Sequence, residues 1–172
     1  DRKENMFKTK LTAALLAVMA VATSAQAQSP TRIEQFKAWG SYFYQGTTGK
    51  VCYVLSVPVK KLPEKVDHGD IFFLVSQRPG QNISYEPQAM MSYELQASSK
   101  VTVKIDDRSF SMFVKGKSAW LENAAEEPAL VASMKSGKQM VVSATSKRGT
   151  GTSYEYSLSG ISAALKKIEG CK

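Results

Sequence analysis

Turn signals punctuate this chain too often for long helices. Clusters of Gly, Pro, Asn and Asp recur about every 8–12 residues, the spacing of an antiparallel all-β fold. The segments between them read as short strands. Phe36 to Tyr44 is aromatic-rich and ends at Gln45-Gly46-Thr47-Thr48-Gly49. Val51 to Val57 follows and is stopped by Pro58, which predicts a hairpin with a longer loop. Lys60 to Gly69 is polar, contains Pro63, and reads as a loop. Ile71 to Gln77 is almost continuously apolar, which places it centrally in a sheet. Arg78 to Asn82 breaks it, and Tyr85 to Gln96 holds at least one further strand. In Lys100 to Ile105 the residues Val101, Val103 and Ile105 share one face. Asp106-Asp107 turns the chain and Phe110 to Val114 returns it. Gln139 to Ser146 and Thr152 to Leu158 form a last hairpin around Lys147-Arg148-Gly149-Thr150-Gly151.

Two segments carry helical periodicity instead. Glu126 to Lys135 opens with acids and Pro128 and stops at Gly137. In Ile161 to Ile168 the residues Ile161, Ala164, Leu165 and Ile168 follow i, i+3, i+4, i+7. Ser159 is the expected N-cap, and Gly170 the residue just beyond the C-terminus. These elements predict a mainly β fold, an immunoglobulin-like antiparallel β-sandwich with two short peripheral helices. An open α+β sheet is the alternative.

The N-terminus reads as an export signal. Lys8 and Lys10 precede the uncharged run Leu11 to Ala22, and Ala25-Gln26-Ala27 is a small-x-small cleavage site. An apolar helix of about 12 residues reaches ~18 Å, well short of a ~30 Å hydrocarbon core. Residues 1–27, in which Asp1 to Asn5 precede Met6, are therefore set apart from the fold. Residues 28–172 are expected to form one domain with no transmembrane span. This predicts a periplasmic or secreted location.

Two cysteines remain, Cys52 and Cys171. In an oxidising compartment they predict one disulfide, closing a loop of roughly 100 residues for ~4–5 kcal/mol in the chain-entropy account. The chain has 23 basic and 15 acidic residues; residues 1–27 hold four and two of these, which leaves 19 against 13, or +6. Such a balance suits an anionic partner. The basic residues concentrate in Lys60, Lys61 and Lys65, in Lys147 and Arg148, and in Lys166, Lys167 and Lys172. The first five, all in expected loops, are the candidate contacts. Aromatics are not interleaved with them, and with export this argues against nucleic acid.

No catalytic apparatus is visible. His68 is the single histidine, in Val66-Asp67-His68-Gly69-Asp70, and reads as turn chemistry. No Gly-x-Ser-x-Gly elbow, Walker A loop or Gly-x-Gly-x-x-Gly is present, so no cofactor is predicted. Asp67, His68 and Asp70 are neighbours without distant co-ligands, and two isolated cysteines do not make a zinc site, so no metal is predicted either.

The order of short motifs resembles the invasion-associated locus B family. The matching pieces are Trp39, Val51-Cys52-Tyr53, Pro58 and Phe72-Phe73 to Pro79. They continue with Val103-Lys104-Ile105-Asp106-Asp107, Ala119-Trp120, Leu130 to Gly137, Arg148-Gly149-Thr150, Tyr156 to Gly160 and Cys171. The resemblance implies a secreted or periplasmic β-sandwich and a role in host-cell invasion, red-cell invasion in particular. It supplies no catalytic residues. Many members carry an additional cysteine shortly after the Trp, where this chain has Tyr42, Phe43 and Tyr44. The expected function is a non-enzymatic envelope or secreted protein that binds an envelope or host component. The alternative is a periplasmic accessory protein for envelope integrity or stress tolerance.

Overall fold

The computed structural model describes residues 28–172, so the expected signal segment lies outside the described residues. Eleven strands form a single antiparallel ladder. They are β1 (Thr31–Phe36), β2 (Trp39–Gly46), β3 (Gly49–Ser56), β4 (Lys60–Leu62), β5 (Phe72–Arg78) and β6 (Ile83–Met90). Then come β7 (Lys100–Ile105), β8 (Arg108–Lys115), β9 (Ser118–Leu121), β10 (Gln139–Thr145) and β11 (Gly151–Ser157). Helix α1 (Glu127–Ser136) joins β9 to β10, and α2 (Ile161–Lys167) follows β11. The spatial order is β1-β2-β3-β5-β6-β9-β8-β7-β10-β11-β4. The mainly β, antiparallel class with two short helices is therefore as read from the sequence. The hydrogen bonding does not divide the strands into two separate sheets.

Local chemistry sets most of the turns. Phe36 pairs with Trp39, Ile105 with Arg108, and Lys115 with Ser118, each closing a two-residue connection. Asp106 takes the left-handed conformation at φ 52°, which a short carboxylate side chain tolerates. The β2–β3 hairpin is tighter than expected. Gly46 pairs with Gly49, so the ladder runs on into the glycines and leaves only Thr47-Thr48 as the loop.

The sheet curls until its two ends meet. The Trp39 indole N–H donates to the Ser157 carbonyl at 2.9 Å, and the Ala38 N–H to the Ser159 carbonyl at 3.2 Å. Inside lie Val54, Phe73 and Val75 from one half, and Val101, Val103, Met112, Val142 and Tyr156 from the other, all fully buried. Phe73 and Tyr156 meet edge to face across the core at 6.0 Å between centroids. The predicted alternation in β7 holds, with Val101, Val103 and Ile105 inward. In β5 it is the inner set that is buried; Phe72 and Leu74 face outward and are half-buried.

Helix α2 packs on the inner side of β1–β3. Ile161, Ala164, Leu165 and Ile168 are buried there as the periodicity predicted. Two buried polar side chains complete the joint. Ser41 Oγ donates to the Ala164 carbonyl at 3.0 Å, and Gln77 Nε2 to the Ile168 carbonyl at 3.0 Å. The second of these serves a helix-terminal carbonyl that lacks an intrahelical partner. The N-cap is Gly160 rather than Ser159. Its φ of 96° is left-handed, and a Cβ there would run into the Phe36 carbonyl, so the close approach of β1 decides the residue. Cys171 then reaches Cys52 on β3. The two are disulfide-bonded with Cα atoms 5.9 Å apart across 119 positions of sequence.

Candidate functional site

Lys60 to Leu62 is not loop but the short edge strand β4. It is laid against β11 with Leu62 opposite Ser153, Lys61 opposite Tyr154 and Lys60 opposite Glu155. Backbone pairing with β11 overrides the polar composition, and a lysine-rich three-residue strand suits a sheet edge. Lys60 and Lys65 are exposed, whereas Lys61 is half-buried, with its Nζ donating to the Gly69 carbonyl at 2.8 Å. Lys147 and Arg148 are exposed at the tip of the β10–β11 hairpin. Both groups thus belong to the edge of the sheet built from β4 and β11.

Between them lies a groove of about 680 Å³. One wall is Val66, Asp67 and His68 from the β4–β5 connection; Tyr93 and Glu94 come from the β6–β7 connection. The other wall is the hairpin, with Ser146, Lys147, Arg148, Thr150 and Thr152. Of the five basic candidates, Lys147 and Arg148 line the groove, and Lys65 directly precedes its first wall. Lys60 and Lys61 lie along the strand outside it. Among the described residues the ion pairs are Arg78–Glu86, Lys100–Glu122 and Lys167–Glu34, so none of the four charges lining the groove is neutralised by a salt bridge.

A hydroxyl relay forms one end of the groove. His68 lies in the β4–β5 connection, as read from the sequence, and its side chain is buried there. Its Nε2 lies 2.8 Å from the Pro63 carbonyl, which only accepts, so Nε2 carries a proton. Nδ1 lies 3.0 Å from the Tyr154 hydroxyl. Tyr154 Oη lies 2.7 Å from Tyr93 Oη, which is 2.8 Å from Thr152 Oγ1. Thr152 in turn donates to the Ala144 carbonyl at 3.2 Å. Burial, followed by the hydrogen bond with Tyr93, pushes the Tyr154 phenol far above its ordinary range, so it stays protonated. Asp67 Oδ1 accepts from the Gly69 N–H at 2.9 Å, which fixes the turn beside the histidine. With both ring nitrogens engaged inside the protein, His68 presents no lone pair to a molecule in the groove. Among the described residues no group of three or more His, Cys, Asp or Glu side chains converges to hold a metal ion.

Tyr93, Glu94, Thr152 and Tyr154 were not among the sequence candidates. The alternation Thr152, Tyr154, Tyr156 marks one inward face of β11. Its link to His68 spans 86 positions, and nothing local signals it.

Fold and edge together define a disulfide-closed antiparallel β-protein whose groove, lined by four charged residues, sits beside a basic strand, and among the described residues no helix is long and apolar enough to cross a membrane. The chain belongs to the invasion associated locus B (IalB) protein family, whose pattern matches residues 39–169. The crystal structure of invasion associated protein B from Bartonella henselae has a similar fold. Its TM-score is 0.53 at 15% sequence identity, with 80% of this chain and 95% of that chain covered. No curated protein matches the chain by sequence.

Proposed function

We propose that this is an exported, non-enzymatic envelope or secreted protein that contributes to host-cell interaction by binding an anionic component. Lys60, Lys61, Lys65, Lys147 and Arg148 are its contacts. The observation that carries this reading is the concentration of these cations along the β4–β11 edge, around a groove whose charges are in no salt bridge. Family membership and the name of the Bartonella relative support the invasion-associated part of the reading. The commitment of both His68 nitrogens inside the fold supports a binding rather than a catalytic role. The disulfide supports an oxidising compartment.

Lysines act as point charges, so affinity should be modest and strongly salt-dependent. It should weaken as the Debye length shortens from ~10 Å at 0.1 M to ~3 Å at 1 M salt. A cation close to an anionic membrane contributes about 1 kcal/mol, so losing two costs roughly 30-fold, and Lys147→Glu/Arg148→Glu, which also adds two repelled charges, should weaken binding to anionic liposomes by at least that much. Lys60→Glu/Lys61→Glu tests the strand portion in the same way. Liposome binding that ignores both salt and charge reversal refutes the mechanism and favours the accessory envelope role.

A further inference from the structure

The groove holds more than cations, and its composition points to the chemistry of an occupant. Its walls present two carboxylates, Asp67 and Glu94, and two cations, Lys147 and Arg148, with Ser146, Thr150 and Thr152 between them. The backbone around it is already used. The Lys147 N–H donates to the Glu94 carbonyl at 2.8 Å, the Gln96 N–H to the Thr145 carbonyl at 3.0 Å, and the Ser146 N–H to the Thr150 carbonyl at 2.9 Å. Leu95 N–H is likewise taken by the Gly116 carbonyl at 3.0 Å. A peptide adding itself as a strand would find these donors of the hairpin and of the β6–β7 connection taken. A bare phosphate or sulfate would be served by the cations and repelled by the two carboxylates.

A sugar chain that also carries anionic groups fits all four charges. Carboxylates accept from sugar hydroxyls, cations take the sulfate or uronate groups, and Tyr93 offers an aromatic surface beside them. The volume of about 680 Å³ lies within the range of small-ligand sites. We infer that the groove binds a segment of an acidic polysaccharide, with Asp67 and Glu94 reading its hydroxyls and Lys147 and Arg148 its anionic groups. This rests on the reading that the basic edge meets an anionic partner, and it adds a recognition of sugar that charge alone does not give.

The two carboxylates make the inference testable by the sign of an effect. Removing negative charge beside a cationic site tightens the binding of any simple polyanion. Removing a carboxylate that accepts sugar hydroxyls loosens the binding of a sugar, because charge-assisted hydrogen bonds are about twice as strong as neutral ones. The experiment compares wild type with Asp67→Asn/Glu94→Gln by calorimetry at 0.1 M salt. The probes are a heparin-derived tetrasaccharide and a polyvinyl sulfate of matched charge. The Asp67→Asn change keeps an oxygen to hold the Gly69 N–H, and the exposed Glu94→Gln alone serves if the double variant melts early. The expected result is tetrasaccharide binding weakened by about fivefold or more, with polyvinyl sulfate bound equally or more tightly. Tightening of both, or loosening of both, overturns the sugar recognition while leaving the anionic-partner reading in place. So does polyvinyl sulfate binding by a wild type that ignores the tetrasaccharide. Failure of wild type to bind either probe overturns both readings.

Discussion

Cys52→Ala/Cys171→Ala removes the covalent link between β3 and the end of the chain. The bond spans 119 positions, for which the loop-closure relation gives about 5 kcal/mol at 25 °C. Folded domains hold ~5–15 kcal/mol in all, so this is a third or more of the total. The noncovalent hold on α2 survives the change: Ile161, Leu165 and Ile168 stay buried, and Ser41 and Gln77 still donate to its carbonyls. The variant is therefore expected to fold, with its melting temperature lowered by ~10–20 °C at this chain size. Wild type with a reductant throughout the scan should show the same drop, and the variant should no longer respond to reductant. Melting of the variant within ~3 °C of oxidised wild type would refute the argument that loop closure, rather than α2 packing, supplies this stability.

Other expectations concern single groups. The Tyr156 hydroxyl is buried with no hydrogen-bond partner, and that burial pushes its ionisation far above the ordinary phenol range. Tyr156→Phe should therefore raise stability by ~1 kcal/mol in urea unfolding; a loss of that size would mean that the hydroxyl is satisfied. Gly160→Ala should cost more than ~2 kcal/mol, since it combines a left-handed φ with the Phe36 carbonyl in the way of a Cβ; an unchanged urea midpoint would contradict this. Gln77→Ala should cost ~0.5–1.5 kcal/mol by removing one of the two donors to the Ile168 carbonyl, which keeps the Cys171 N–H at 3.1 Å, and faster hydrogen exchange in α2 should accompany it.

The strands legible in the sequence were those whose own pattern suffices. Lys100 to Ile105 alternates so strictly that its inward face, Val101, Val103 and Ile105, could be named in advance. Ile161 to Ile168 is similar, because one helical stripe meets one core. The elements missed are those that a partner creates. Thr31 to Phe36 is polar and exposed, and Lys60 to Leu62 is three residues of lysine and leucine; each is a strand because β2 or β11 offers an unpaired edge. The same holds for the groove. Lys147 and Arg148 stand out as a charged hairpin tip, whereas His68, Tyr93 and Tyr154 meet only when the sheet curls. Their contacts span from 61 to 86 positions. Ser159 failed as an N-cap for a related reason: capping preference is local, but the approach of the Phe36 carbonyl is tertiary.

Amide chemical-shift mapping tests the location of the proposed binding site most directly. On titration of the 28–172 protein with the heparin tetrasaccharide at 0.1 M salt, the largest shifts should fall in Val66–Gly69, Tyr93–Glu94 and Ser146–Thr152, and they should collapse in Lys147→Glu/Arg148→Glu. The competing surface is the outer face of the sheet, where Leu55, Leu74, Gln88, Trp120 and Phe113 lie in one cross-strand row. Shifts centred on that row, with the hairpin tip unmoved, would contradict the assignment of the β4–β11 edge as the binding site.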